Sequence, residues 1–176
     1  MATKPYIAAV KSLYLNAPTE FANVLTAIAA QWALESGWGK SKLAMSHNNF
    51  GGMKYRSELS HLCDPVVYTD WEGEECLYCA LADPEDYYEV YFAFISRQRY
   101  HGIEDHLGSP EAFLEHLYAR GYVGSMPGGK DKYVSTILNI MARLPKEISD
   151  PRGLRRAKNM DLYDDYPLWL MGPKAT

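Results

Sequence analysis

The sequence predicts an α+β domain, mainly α, with a small β-lobe. Apolar residues recur at helical spacing at both ends of the chain, whereas the middle loosens into Asn, Gly and short runs of aromatic and β-branched residues. A length of 176 residues suits one core, and 47% hydrophobic with 23% charged residues is ordinary globular composition, which argues against a disordered or membrane-embedded class.

Residues 5–15 carry Tyr6, Ile7, Val10, Leu13 and Tyr14 at helical spacing, and Asn16 and Pro18 mark an end. Thr19 is positioned to cap a second helix, whose stripe of Phe21, Val24, Leu25, Ile28 and Trp32 reaches Glu35 after one more step of three. Ser36, Gly37 and Gly39 follow at once, so the helix should stop there and leave a carboxylate at its end. Beyond Ser46, Pro65–Trp71 reads as a strand and turn, and Tyr87–Ile95 reads as a second strand from its β-branched and aromatic content. Ser96 is expected to cap a helix through Leu107, and Ser109-Pro110-Glu111 to start one carrying Phe113, Leu114, Leu117 and Tyr118, closed by Gly121. A loop at 124–129 leads to a last stripe of Tyr133, Val134, Ile137, Ile140, Met141 and Leu144. Residues 1–150 are thus expected to form the domain, and 151–176 an extension packed on it. The chain has no internal repeat and no low-complexity segment.

A net charge of -4 and a pI near 5.7 exclude a general nucleic-acid binder, which needs a basic surface. The first residues have no long apolar run before Lys11, so they read neither as a secretory signal nor as a membrane span, and any export is expected to use another route. Cys63, Cys76 and Cys79 lie close to His61. They are open to three readings: reduced buried thiols, one disulfide with a spare thiol, or a structural zinc site with His61.

Glycosidic cleavage needs an acid to protonate the leaving oxygen and a second group to stabilise the positive sugar or activate water. Glu35 suits the first role, because partial burial beside Trp32 disfavours the charged carboxylate. Spacing alone leaves another reading open, a helix-end carboxylate bonded to turn amides. The 14 Tyr and 4 Trp suit a ligand with apolar faces and polar edges, as sugars have.

Ala33-Leu-Glu-Ser-Gly-Trp-Gly39, followed by Ser46-His-Asn-Asn-Phe-Gly51 and Met53-Lys54, resembles the glycoside hydrolase family 73 glucosaminidases. That family includes flagellar muramidase-like domains and autolysins of the lysozyme-like superfamily. The resemblance covers about residues 20–145 and implies a lysozyme-like helical domain whose β-lobe flanks the active-site cleft. It implies Glu35 as general acid, with Asn49, Phe50 and Gly51 lining the cleft. Its second carboxylate, usually a Glu in a Thr-Glu-Tyr-like turn, maps best onto Asp70 in Thr69-Asp70-Trp71, with Glu72, Glu74 and Glu75 as rivals. Phe92-Ala-Phe-Ile95-Ser96 approximates a family strand-to-helix step, with Ile95 in place of an aromatic. Gly121-Tyr122 and Tyr133 match the family's later tyrosines; Tyr122 is the cleft tyrosine that assists by positioning substrate or water, while Tyr133 also reads as core. Trp38, Asn49, Phe50 and Tyr133 are the expected substrate-binding residues.

The activity implied is endo-β-N-acetylglucosaminidase action on peptidoglycan, cutting the β-1,4 bond after N-acetylglucosamine with no cofactor and no metal. A lytic transglycosylase, which needs one Glu and no second carboxylate, and a non-catalytic glycan-binding module are the alternatives. Without a signal peptide, a wall-cutting enzyme is expected to be either a phage lysin or an antibacterial effector of a type VI secretion apparatus. The effector reading is preferred: made in the cytoplasm, acting in the periplasm or wall of a target bacterium, and blocked in kin by an immunity protein plugging the cleft. Neither nucleic acid nor membrane is an expected partner. Whether cleavage retains or inverts configuration depends on a carboxyl separation, roughly 5–5.5 Å or 6.5–9.5 Å, that the sequence does not contain.

Overall fold

A computed structural model describes residues 1–69, 73–124 and 128–154. The domain is built from α1 (Lys4–Asn16), α2 (Leu25–Ser36), α3 (Lys42–His47), β1 (Asp64–Thr69), β2 (Glu75–Ala80), α4 (Tyr87–Ile95), α5 (Pro110–Ala119) and α6 (Gly129–Met141), and the described residues end in a helical turn at 151–154. No helix among the described residues is long and apolar enough to cross a membrane.

The α-lobe is built round α2, which packs against α1, α5 and most extensively α6. From Ala27 to Ala33 every residue of α2 is buried, so the stripe inferred from Ile28 and Trp32 is one side of a helix enclosed nearly all round. The Thr3 hydroxyl accepts from the Tyr6 amide at the start of α1, and in α5 the Ser109 hydroxyl accepts from the Ala112 amide ahead of Pro110, as the Ser109-Pro110-Glu111 signal indicates.

The β-lobe is smaller. β1 and β2 pair antiparallel in a register running from Asp64 opposite Ala80 to Thr69 opposite Glu75. The 53–55 segment adds a short third strip, with the Cys79 amide donating to Met53 and the Tyr55 amide to Leu77. Cys63 and Cys79 form a disulfide across the base of the hairpin with Cα atoms 5.4 Å apart, and Cys76 is free. Of the three cysteine readings, the structure takes the disulfide with a spare thiol. Among the described residues no cluster of His, Cys, Asp and Glu is arranged to hold a metal.

Three expected elements differ. Tyr87–Ile95 is helix α4, not a strand, and it buries Tyr87, Val90, Tyr91 and Ile95, which is helical spacing. Tertiary packing of that face overrides the β-propensity of the individual residues. The helix expected from Ser96 to Leu107 is two 3₁₀ turns, Gln98–Tyr100 and Ile103–His106, separated where Gly102 takes a left-handed φ of 87°. Thr19 begins a 3₁₀ turn to Asn23, and α2 starts only at Leu25. The extension expected at 151–176 lies outside the described residues from 155 onward, while Leu154 packs on the core.

Candidate active site

Glu35 occupies the last turn of α2, and the residues after it explain why the helix ends there. Gly37, Trp38 and Gly39 all take left-handed conformations, with φ of 58°, 65° and 80°. A left-handed tryptophan is sterically costly, so its neighbours must hold it. Its amide donates to Ala33 O at 2.8 Å, its carbonyl accepts from the Thr3 amide at 3.1 Å, and its ring meets Tyr6 edge-on at 6.2 Å. The Ser36 hydroxyl donates back to Trp32 O at 2.6 Å and accepts from the Gly39 amide at 2.8 Å, closing the turn. Ser-Gly-Trp-Gly is therefore a rigid helix stop, and Glu35 stands at its edge.

Glu35 itself is exposed to solvent along part of its side chain. Protein nevertheless fills most of the space around its carboxyl, and this loss of hydration raises its pKa from 4.5 to about 7. The acid therefore still holds its proton in a substantial fraction of molecules near neutrality, as protonation of a leaving oxygen requires.

Tyrosines surround it. Tyr87, Tyr91, Tyr122 and Tyr133 are each pushed upward by burial and each feels the Glu35 charge. Trp32 lies edge-on to Tyr87 and Tyr91 at 4.7 and 5.4 Å. The Tyr122 hydroxyl and Trp32 Nε1 are buried polar atoms without a hydrogen-bond partner among the described residues. Such donors are rare inside proteins and suit a site that a ligand or water completes. Gly51 lets the floor form: a Cβ there would stand 2.5 Å from the Tyr87 hydroxyl and 3.2 Å from that of Tyr122.

The other expected site residues, the catalytic candidate Tyr122 and the four substrate-binding candidates, separate into two groups. Trp38 and Tyr122 are half-buried and present part of their surface. Asn49, Phe50 and Tyr133, expected to contact substrate, are at most 1% exposed and act from behind the wall. The Asn49 amide donates to Met53 O and Cys79 O, both at 2.9 Å, and its Oδ1 accepts from the Met53 amide at 2.8 Å, so it fastens the β-lobe to the turn after α3. Phe50 packs edge-on against Tyr6 and Tyr87. Asp70, the preferred second carboxylate, and its rival Glu72 lie outside the described residues; Glu74 and Glu75 are exposed beside the hairpin turn.

The pattern reading passed over Gln31, which is fully buried one turn before Glu35 and hydrogen-bonded to both Tyr91 and Tyr133. A polar residue in an enclosed apolar helix was the available signal.

The glucosaminidase family model, described as mannosyl-glycoprotein endo-beta-N-acetylglucosaminidase, matches residues 20–146. The chain belongs to this family. The chain is 31% identical over 106 residues to the peptidoglycan hydrolase FlgJ of Pseudomonas aeruginosa, a match covering 54% of this chain and 26% of that protein. The match thus takes in only about a quarter of that relative's length. Among solved structures, the glycoside hydrolase domain of Salmonella typhimurium FlgJ superposes with a TM-score of 0.58 at 20% identity, covering 92% of this chain and 99% of that one. A peptidoglycan hydrolase from Sphingomonas sp. A1 gives 0.55 at 25%, covering 87% and 96%. The catalytic domain of the autolysin Auto from Listeria monocytogenes gives 0.56 at 17%, covering 89% and 90%. The chain accordingly shares the mainly helical, lysozyme-like fold of these domains.

Proposed function

We propose that this glucosaminidase is a peptidoglycan hydrolase that cleaves the β-1,4 bond after N-acetylglucosamine, with Glu35 as proton donor. The observation that carries the reading is the Glu35 carboxyl, raised to about 7 by lost hydration on a tyrosine-lined floor. Glu35 gives its proton to the leaving glycosidic oxygen as the bond to the anomeric carbon breaks, and water adds to that carbon and loses a proton. Asp70 is our assignment for the group that activates the water or stabilises the positive sugar, with Glu72, Glu74 and Glu75 in reserve. The buried Tyr122 hydroxyl positions substrate or water, and the half-exposed Trp38 ring offers an apolar face to a sugar. Peptidoglycan is the polymer named for the Sphingomonas hydrolase among the solved folds and for the Pseudomonas FlgJ match.

The setting we propose is antibacterial: a toxin exported by a type VI secretion apparatus, acting in the periplasm or wall of a target cell, and neutralised in its producer by an immunity protein that plugs the cleft. The Cys63–Cys79 disulfide supports action in an oxidising compartment. A phage lysin is the alternative setting.

The test is digestion of purified peptidoglycan by wild type and Glu35→Gln, with borohydride reduction and mass spectrometry of the products. Reduced N-acetylglucosamine ends that vanish in the variant are expected. Anhydro-muramic ends would instead assign a lytic transglycosylase, and binding without products a glycan-binding module.

A further inference from the structure

The β-hairpin has two unlike faces. In its register Val66 lies opposite Tyr78 and Tyr68 opposite Cys76, whereas Val67 faces Leu77 and Thr69 faces Glu75. Successive strand residues point to opposite sides, so Tyr68, Cys76 and Tyr78 share one face and Val67, Glu75 and Leu77 the other. On the first face the Tyr68 and Tyr78 rings meet edge-on at 5.6 Å, and a lysine covers each. Lys42 Nζ lies 5.9 Å from the Tyr68 centroid, and Lys54 Nζ lies 5.8 Å from that of Tyr78 while donating to Cys76 Sγ at 3.4 Å. Both lysines are exposed. The chain carries a net charge of -4, so two ammonium groups on one aromatic surface are a local exception. Of the described acidic residues of the hairpin, Glu75 belongs to the opposite face, Asp64 to the far end of β1 and Glu74 to the turn.

This surface adjoins the helix stop that bears Glu35. The Lys40 and Ser41 amides both donate to Ser36 O, at 2.9 and 2.8 Å, so the chain leading into α3 folds back on the residue after Glu35. Lys42 is the next residue, and Tyr68 beneath it stands two positions before Asp70. The lysine-covered rings therefore join the segment of the acid to the strand that leads to the candidate second carboxylate.

We propose that Lys42 and Lys54, set on Tyr68 and Tyr78, form a subsite for the carboxylates of the stem peptides that muramic acid carries in peptidoglycan. The proposal deepens the reading of the substrate as peptidoglycan and rests on it. An ammonium group is a point charge with three donors, so it meets a carboxylate without the fixed fork that arginine imposes. The tyrosine rings beneath offer apolar surface to the lactyl and alanyl methyl groups beside those charges. The sugars are read at the Glu35 floor and their charged substituents on the β-lobe.

The experiment measures co-sedimentation with purified sacculi, in a Glu35→Gln background so that binding is read without cleavage. The probes are untreated sacculi and the same sacculi after carbodiimide coupling to methylamine, which turns stem-peptide carboxylates into neutral amides and leaves the glycan intact. The background protein is expected to bind untreated sacculi about tenfold more tightly, roughly what two exposed ion pairs contribute together. That preference should shrink as salt is raised. Adding Lys42→Met and Lys54→Met should abolish it, while Lys42→Arg with Lys54→Arg should retain it. Equal binding of the two probes by the background protein overturns the proposal. So does a Met variant that keeps the preference, or one that loses affinity for both probes equally, which would make the lysines braces of the hairpin. Should the double Met variant fail to fold, the single Met variants carry the same comparison, each expected to lose part of the preference. Indifference to amidation removes this subsite alone, whereas no binding to either probe removes the peptidoglycan reading with it.

Discussion

The two lobes that meet at the cleft are stabilised in different ways. Around Glu35 the α-lobe is a packed solid in which Trp32, Tyr87, Tyr91 and Tyr133 are fully buried. The β-hairpin has little core of its own: Val67 and Leu77 face each other across the strands yet are 61% and 48% exposed. A two-stranded ribbon is marginal alone, so it depends on discrete ties, the Cys63–Cys79 disulfide and the three hydrogen bonds of Asn49. The difference separates the tasks. The lobe bearing the acid sets a proton affinity through dense packing, while the lobe bearing the candidate second carboxylate needs only to be held at the right place.

The largest expected effect lies on the packed side. Glu35→Gln keeps the volume and removes the proton, so turnover on peptidoglycan should fall by about 10²–10⁴-fold with the circular dichroism spectrum unchanged. A folded variant that retains wild-type turnover would remove Glu35 from the chemistry and dissolve the contrast. On the tied side, replacing both Cys63 and Cys79 by Ala opens a loop spanning 16 residues and should cost about 3 kcal/mol in urea unfolding. Asn49→Ala should cost about 2 kcal/mol, because it strands the Met53 amide and the Cys79 carbonyl. If the hairpin depends on these ties, both changes should also lower turnover while leaving the Glu35 titration in place. Unchanged turnover in both would show that the β-lobe is positioned by something else.

The same contrast governs what the sequence revealed. Glu35 was legible because a local pattern ends there: the apolar spacing delivers it to one face, and Ser36 with Gly37 stops the helix. α4 was missed because Tyr, Val, Phe and Ile favour strands individually, although Tyr87, Val90 and Tyr91 already stood at helical offsets behind the Asp83-Pro84 start. Gln31 could not be assigned, since its partners lie 60 and 102 residues away and no local rule joins them. The cysteine pairing likewise depends on how β1 registers against β2, which the composition of the hairpin leaves open.

The smallest expected effect tests whether the packed floor is built at the expense of stability. The Glu35 pKa is about 7 in the folded chain against an ordinary 4.5, so between those values the folded state binds its proton more firmly than the unfolded state does. The stabilisation linked to that proton is complete below about pH 4.5, declines as pH rises through the window, and is lost above about pH 7. Glu35→Gln cannot ionise and escapes the decline. The variant should therefore unfold at a higher temperature than wild type at pH 8, with the advantage gone at pH 4. Equal unfolding temperatures at pH 8 would mean that the carboxylate is adequately hydrated in the open groove, and that the cleft floor does not hold the acid in its protonated form.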